Sequence, residues 1–306
     1  MNGILILRGG ALGDFVLTLP ALKLLRDRFP KAHLEILGYP RIAALVEKRF
    51  YADAIRSIES ASLARFFVKD AELPGELADY FRGFDLILSY LYDPDRIFEN
   101  NLKRCGTATL VTGPGKLDNS AHAAFQLARP LEGLGLHLQD AAAHLYPIEE
   151  DRDLARDYLG GRSRPIVTLH PGSGSETKNW AIKKWIELGG LLVSEGYELL
   201  VIAGEADEKR AATLESAWSG KPVRFLKHQP LPKLAALAEG GLFIGHDSGI
   251  SHVAAASGAR CTLLFGWTDP AIWAPANKDV TVLKAPNGNL DELDPVAVAA
   301  ALPQAE

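Results

Sequence analysis

A short apolar run at 242–244 empties into Gly245, His246, Asp247, Ser248 and Gly249, and residues 250–257, with His252 among them, read as a helix. A helix that opens straight out of a Gly and Ser turn leaves its first backbone N–H groups unpaired, and these, with the helix dipole, favour an anion such as phosphate. The same grammar occurs upstream. A buried strand at 166–169 is followed by His170, Pro171, Gly172, Ser173, Gly174 and Ser175, a small polar turn that leads to Lys178 and Trp180. Glycine lets backbone amides approach a ligand closely and lysine supplies a compact charge for phosphate oxygens, so the two turns together suit a diphosphate.

A third turn, Arg8, Gly9, Gly10, Ala11, Leu12, Gly13 and Asp14, invites a dinucleotide reading and fails it. The fingerprint needs glycines at i, i+2 and i+5, a spacing that 9, 10 and 13 do not supply. The acid expected at the end of the second strand is also missing, since Glu35 lies inside that strand and Gly38 closes it. A nicotinamide-dependent oxidoreductase is therefore disfavoured. Asp14 stands where a helix from Phe15 begins. It reads either as an N-cap or as a carboxylate able to take a proton from an acceptor hydroxyl.

Other residues carry two readings each. Glu205, after the strand 198–203 and Gly204, can accept hydrogen bonds from ribose hydroxyls, or it complements a helix dipole together with Asp207 and Glu208. Lys178 outside its turn would be an ordinary surface lysine. His252 is a phosphate contact or a core-facing histidine, and His170 orients its turn. Trp180 and Trp185, at helical spacing, read as packing residues. Arg8, ending the first strand, needs a partner, either an acceptor phosphate, the donor, or an internal acid.

Apolar strands alternate with helical patterns along the chain. In residues 1–150 strands are expected at 3–7, 33–37, 55–58, 85–89 and 107–111, with helices at 15–29, 41–49, 95–105 and 121–134. After a polar stretch at 149–164, read as a linker with a short helix, residues 151–306 repeat the scheme. Strands are expected there at 166–169, 198–203, 223–226, 242–244 and 261–265, and helices at 182–194, 205–218, 231–239 and 250–257. Such repetition predicts α/β architecture, two doubly wound parallel sheets facing across a cleft. Open α/β sheets take ligands beyond the carboxyl ends of their strands, which is where all the turns named above fall.

Composition sets the outer bounds. At 306 residues, 47% hydrophobic and 23% charged, the chain suits two soluble domains. Lys and Arg total 33 against 38 Asp and Glu with no basic run, which argues against a nucleic-acid partner. The apolar runs are strand-sized and no signal-peptide order opens the chain, so a cytoplasmic protein is expected. Cys105 and Cys261 stand far apart with no CxxC, and read as small buried hydrophobes.

The segments ILILRGGALGDFVLTLPALKLLRDRFP, HPGSGSETKNW, IAGEADE, GHDSGISHVAAASGA and LFGWTDP, in this order across both halves, resemble glycosyltransferase family nine, the bacterial heptosyltransferases of lipopolysaccharide core assembly. The resemblance implies a GT-B fold, with residues 1–150 presenting the sugar acceptor and 151–306 holding a nucleotide-activated donor, typically ADP-heptose. It also implies inverting transfer with no metal or other cofactor. Asp14 would be the base. Lys178, Ser248, Gly249 and His252 would contact the donor diphosphate, supported by Ser173 and Gly174 of the turn. Asp247 would lie near the transferring sugar, Glu205 at the ribose, and Arg8 and Gly13 on the acceptor side. The lipid-anchored acceptor implies peripheral contact with the inner face of the cytoplasmic membrane, by a chain that needs no second subunit. Two positions depart from the family pattern: Ala181 stands where Pro usually follows the tryptophan, and Trp267 where a small residue or Pro usually precedes TDP. A binding protein that keeps the cradle without transfer, and a family member using another nucleotide sugar, are the alternative readings.

Overall fold

The computed structural model describes residues 1–160 and 164–303 as two compact units, Met1–Ala141 and Ala142–Glu306. The division falls ahead of residue 150 because the segment after Ala141 is tied to the second unit: Leu145 N–H donates to Ala256 O, and Asn277 Nδ2 donates to Ala143 O. Part of the expected linker, 161–163, lies outside the described residues.

The first unit is a five-stranded parallel sheet in the order β3-β2-β1-β4-β5, with β1 Gly3–Arg8, β2 His33–Gly38, β3 Ala54–Ser57, β4 Leu86–Ser89 and β5 Leu110–Thr112. Its helices are α1 Leu12–Arg28, α2 Pro40–Ala43, α3 Gly75–Arg82, α4 Ile97–Arg104 and α5 Ala123–Ala128. The central strand β1 is apolar on both faces and Ile4, Leu5, Ile6 and Leu7 are fully buried, as a parallel strand covered by helices requires. Phe66, Phe81 and Phe98 pack ring to ring against one face, at centroid distances of 4.9 to 6.3 Å.

Sequence expectation and structure diverge at several elements of this unit, and β5 begins at Leu110 rather than at 107. The helix expected at 121–134 ends at Ala128 and tightens into a 3-10 turn over Arg129–Leu134, because Pro130 offers no N–H to continue it. The one expected at 41–49 stops at Ala43, and Lys48 sits at φ 52°. Helix α3 occupies a segment where apolar periodicity marked no helix.

The second unit is a six-stranded parallel sheet, β11-β10-β9-β6-β7-β8. Its strands are β6 Ile166–His170, β7 Glu198–Ala203, β8 Val223–Lys227, β9 Leu242–His246, β10 Arg260–Phe265 and β11 Val280–Lys284. The helices are α6 Glu149–Leu159, α7 Ile182–Ser194, α8 Glu208–Ala217, α9 Leu231–Ala238, α10 Gly249–Ala256, α11 Pro270–Trp273 and α12 Pro295–Ala300. Strand β11 is an edge strand with an exposed and half-buried pattern, which is why apolar periodicity did not mark it. Trp180, Trp185 and Trp218 fill the core on one side of the sheet, as packing residues. Both cysteines are free and buried, and burial pushes the Cys261 thiol up to about 12.

In each sheet the chain starts at an inner strand, winds outward on one side, then returns to the other. The strand order reverses between β1 and β4 in the first unit and between β6 and β9 in the second. A crevice opens beyond the carboxyl ends of the strands at such a reversal, and there the sheet offers a ligand backbone amides from two turns at once.

Candidate functional site

The reversal point of the second unit joins the turns after β6 and β9. His170, Leu169 and Val167 pair in register with Gly245, Ile244 and Leu242, so the two polar turns leave adjacent strands at the same level. Ser248 caps α10 with extended backbone, φ −148° and ψ 159°, and its Oγ accepts the Ser251 N–H at 3.3 Å. The same Oγ lies 3.3 Å from His170 Nδ1, and His170 Nε2 lies 3.4 Å from Asp207 Oδ2. Asp207 also accepts the Gly204 N–H at 3.2 Å. Burial pushes the Asp207 carboxyl up, but the His170 hydrogen bond and charge, the Gly204 amide and Arg210 outweigh it and hold the group below the usual carboxylate range. This buried chain fixes the rotamer of Ser248 from behind.

Gly172 makes the arrangement possible. A Cβ on it would fall 1.7 Å from Asp207 Oδ1, so only glycine lets the β6 turn lie against that carboxylate. Sequence reasoning assigned Asp207 to the helix dipole; its burial and its contact with His170 show a structural role in the turn instead. The signal was the Gly172 position itself, a glycine inside a turn already rich in small residues.

His246, with no role readable from sequence, is fully buried under Trp185, at 5.3 Å between ring centroids. Its Nε2 accepts the Trp180 N–H at 2.9 Å, which leaves Nδ1 to carry the proton and donate to Gly172 O at 3.3 Å. Desolvation lowers its pKa to about 3, so it is neutral. It ties the β9 turn to the β6 turn. Arg210 completes the tie, with Nε donating to Pro171 O at 3.0 Å and Nη2 to Trp180 O.

Over this support lies the layer nearer to solvent. Lys178, at the end of a 3-10 turn over Glu176–Lys178, is part-buried and pairs with Asp247 Oδ2 at 2.6 Å. The Trp267 ring lies 5.6 Å from the Lys178 ammonium. Ser173 donates its hydroxyl to Ser175 O or Asn179 Oδ1, both at 2.8 Å, which holds the turn in shape. Gly174 sits in the left-handed region at φ 74°, Gly249 is half-buried, His252 is buried in α10, and Glu205 is exposed just beyond β7. The structure thus brings Lys178, Asp247, Ser248 and Gly249 to one strand-end cluster, with His252 buried one turn into α10. Glu205 stands one strand further along, after β7.

In the first unit the β1 turn carries Arg8, Gly13 and Asp14. Helix α1 begins at Leu12, so Asp14 is its third residue rather than its cap, and its Oδ2 reaches back to accept the Ala11 N–H at 3.2 Å. Arg8 is only 9% exposed; Nη2 of its guanidinium donates to the Asp14 carbonyl at 2.9 Å, the ring of Tyr90 lies 5.6 Å away, and Nε is buried without a partner. Burial lowers its pKa, partly offset by Asp14 and Tyr90. Gly13 is half-buried between them in sequence.

Among the described residues no group of three or more His, Cys, Asp or Glu is placed to hold a metal ion, and no helix is long and apolar enough to cross a membrane.

A model of glycosyltransferase family 9 (heptosyltransferase) matches residues 119–299 of the chain. Lipopolysaccharide heptosyltransferase 3 of Escherichia coli is 24% identical over 290 residues, spanning 86% of this chain and 83% of that protein. Among solved structures, the glycosyl transferase family 9 protein of Veillonella parvula DSM 2008 superposes with a TM-score of 0.81 at 19% identity, over 98% of this chain and 95% of that one. The E. coli ADP-heptose LPS heptosyltransferase II does so with a TM-score of 0.77 at 17% identity, over 98% and 97%. At these identities the structural likeness carries the fold, the GT-B pair of doubly wound parallel-sheet units.

Proposed function

This chain belongs to glycosyltransferase family 9, and on that premise we propose that it moves a heptose from ADP-heptose to a lipopolysaccharide core acceptor, with inversion and without a metal. The observation that carries the reading is the Lys178–Asp247 pair, set at 2.6 Å beside the N-terminus of α10, whose cap Ser248 is locked from behind by His170. A diphosphate seated there meets one ammonium and the first amides of the helix, and the anionic Asp247 is left to accept hydroxyls of the attached sugar.

The reaction needs a base and a sink for charge. Asp14 takes the proton as the acceptor hydroxyl oxygen bonds to the anomeric carbon, and the bond from that carbon to the β-phosphate oxygen breaks. Negative charge then grows on the departing ADP. Lys178 and the fixed amides of α10 are aimed at that charge, so they stabilise the transition state more than the ground state and do the work a divalent cation would otherwise do. Glu205 accepts from the ribose, Ser173 and Gly174 shape the phosphate turn, and Arg8 and Gly13 serve the acceptor side. The acceptor's lipid anchor brings this chain, working as a monomer in the cytoplasm, to the inner face of the cytoplasmic membrane as a peripheral visitor.

The name of the E. coli relative, a lipopolysaccharide heptosyltransferase, supports the acceptor class, and that of the solved E. coli enzyme supports ADP-heptose as donor. Thermal unfolding in EDTA with ADP, UDP or GDP tests the donor half. A melting point raised by ADP alone, and no longer raised in Lys178→Met, is expected; a rise selective for UDP or GDP overturns the ADP donor.

A further inference from the structure

Trp267 is 64% exposed, the most exposed of the large hydrophobic side chains among the described residues, yet its backbone is held on both sides. Lys284 Nζ donates to the carbonyls of Gly266 and Thr268, the residues flanking it, and Gly288 lies so close that a Cβ there would come 3.1 Å from Trp267 Cα. An aromatic ring carried on a fixed mount and left open to solvent is pre-organised to stack on a ligand, because little backbone freedom remains to be lost on binding.

Sheet order says what that would be. Trp267 follows β10, Asp247 follows β9, Lys178 lies in the turn after β6, and Glu205 follows β7, and these four strands are consecutive neighbours. Strands lie about 4.8 Å apart, so β7 and β10 stand roughly 14 Å apart, the reach of an extended nucleotide sugar. With the ribose at Glu205 and the diphosphate at Lys178, the group bonded directly to the far phosphate comes to β10. The base, attached to the ribose, does not.

We infer that Trp267 is a specificity-determining platform on which the transferred sugar ring of the donor lays its C–H face, while Asp247 accepts the hydroxyls at that ring's edge. The inference rests on the nucleotide-sugar reading above and adds to it the subsite for the sugar. The Lys178 ammonium, 5.6 Å from the indole centroid, lies within cation–π range of the ring.

The test measures binding of ADP and of ADP-heptose, without acceptor, to wild type, Trp267→Ala and Trp267→Phe, together with acrylamide quenching of tryptophan fluorescence. Trp180, Trp185 and Trp218 are buried and Trp273 is half-buried, so quenching reports chiefly on Trp267. Expected is a roughly threefold to tenfold loss of ADP-heptose affinity in Trp267→Ala with ADP affinity unchanged, and recovery of most of it in Trp267→Phe. In the wild type ADP-heptose shields the fluorescence from acrylamide and ADP does not. Equal losses for ADP and ADP-heptose, or shielding by ADP alone, overturn the sugar platform and leave the donor reading standing. Failure of the wild type to bind either compound overturns the donor reading, and the platform with it.

Discussion

Two strand-to-helix turns, one in each unit, are built on the same plan and end up doing opposite things with charge. After β1 the chain passes through Gly9 and Gly10 into α1, buries the cation Arg8, and leaves the carboxylate of Asp14 half-exposed, accepting the Ala11 amide. After β9 it passes through His246 and Asp247 into α10, buries a neutral histidine, and leaves the cation Lys178 part-exposed against Asp247. A carboxylate kept accessible at a helix start suits a base. An ammonium kept accessible beside a helix start suits an anion. What decides between them is the layer beneath: in the first unit a guanidinium with a single hydrogen bond to the turn, in the second a network of His170, Asp207, His246 and Arg210 that fixes both turns.

That contrast is broken most severely at Asp14. Asp14→Asn keeps the size of the side chain and removes its basicity, and transfer should fall by about a hundredfold to ten-thousandfold while ADP binding is unchanged. Steady-state rates and a titration of the same preparation check both. Transfer at the wild-type rate would leave the first turn with no chemical role.

Lys178→Met should do the reverse, weakening ADP by about tenfold to a hundredfold, the range for losing one charge-assisted contact, measured by calorimetry. It also leaves the buried Asp247 carboxylate without its cation, so the melting point without nucleotide should fall as well.

The layer beneath sharpens the contrast through stability. His246→Leu removes the acceptor of the buried Trp180 N–H and should cost about 1–3 kcal/mol in urea unfolding. It also carries a pH signature. In the folded chain His246 titrates near 3 and stays neutral, whereas the unfolded side chain takes up a proton below about 6.5. The unfolded state binds more protons in that window, so its contribution is fully present above pH 6.5 and is lost as pH falls, by up to about 1.4 kcal/mol per pH unit. Wild type should therefore lose stability on acidification from pH 7 to pH 5 more steeply than His246→Leu. Equal slopes would mean that His246 is not held neutral.

The smallest expected effect is at Glu205. Glu205→Gln should weaken ADP by about threefold and 2′,3′-dideoxy-ADP not at all, as befits one solvent-facing contact to a ribose. Identical losses for both nucleotides would remove the ribose from this residue.

The strand ends were legible in the sequence because parallel strands buried on two faces are short apolar runs, and these runs give way to glycine, serine and charge. Asp14, Lys178, Asp247 and Ser248 stood out for that reason. The supporting layer did not, because burial of a polar side chain is a property of packing. Asp207 reads as a first-turn acid until Gly172 is seen against it, and His246 reads as one more turn histidine until Trp180 is seen donating to it. Strand β11 was silent for a related reason. An edge strand with exposed Thr281 and Lys284 lacks the apolar run that betrays the inner strands, yet Lys284 is what holds the backbone on either side of Trp267.

The most direct test incubates the chain with ADP-heptose and a lipopolysaccharide core acceptor lacking heptose, in EDTA, and follows both ADP release and the mass of the acceptor. Acceptor heavier by one heptose, with equimolar ADP from the wild type and almost none from Asp14→Asn, is the predicted result. ADP-heptose bound and returned intact with every core acceptor offered would contradict it, and would make the chain a binding protein that keeps the donor cradle without the transfer.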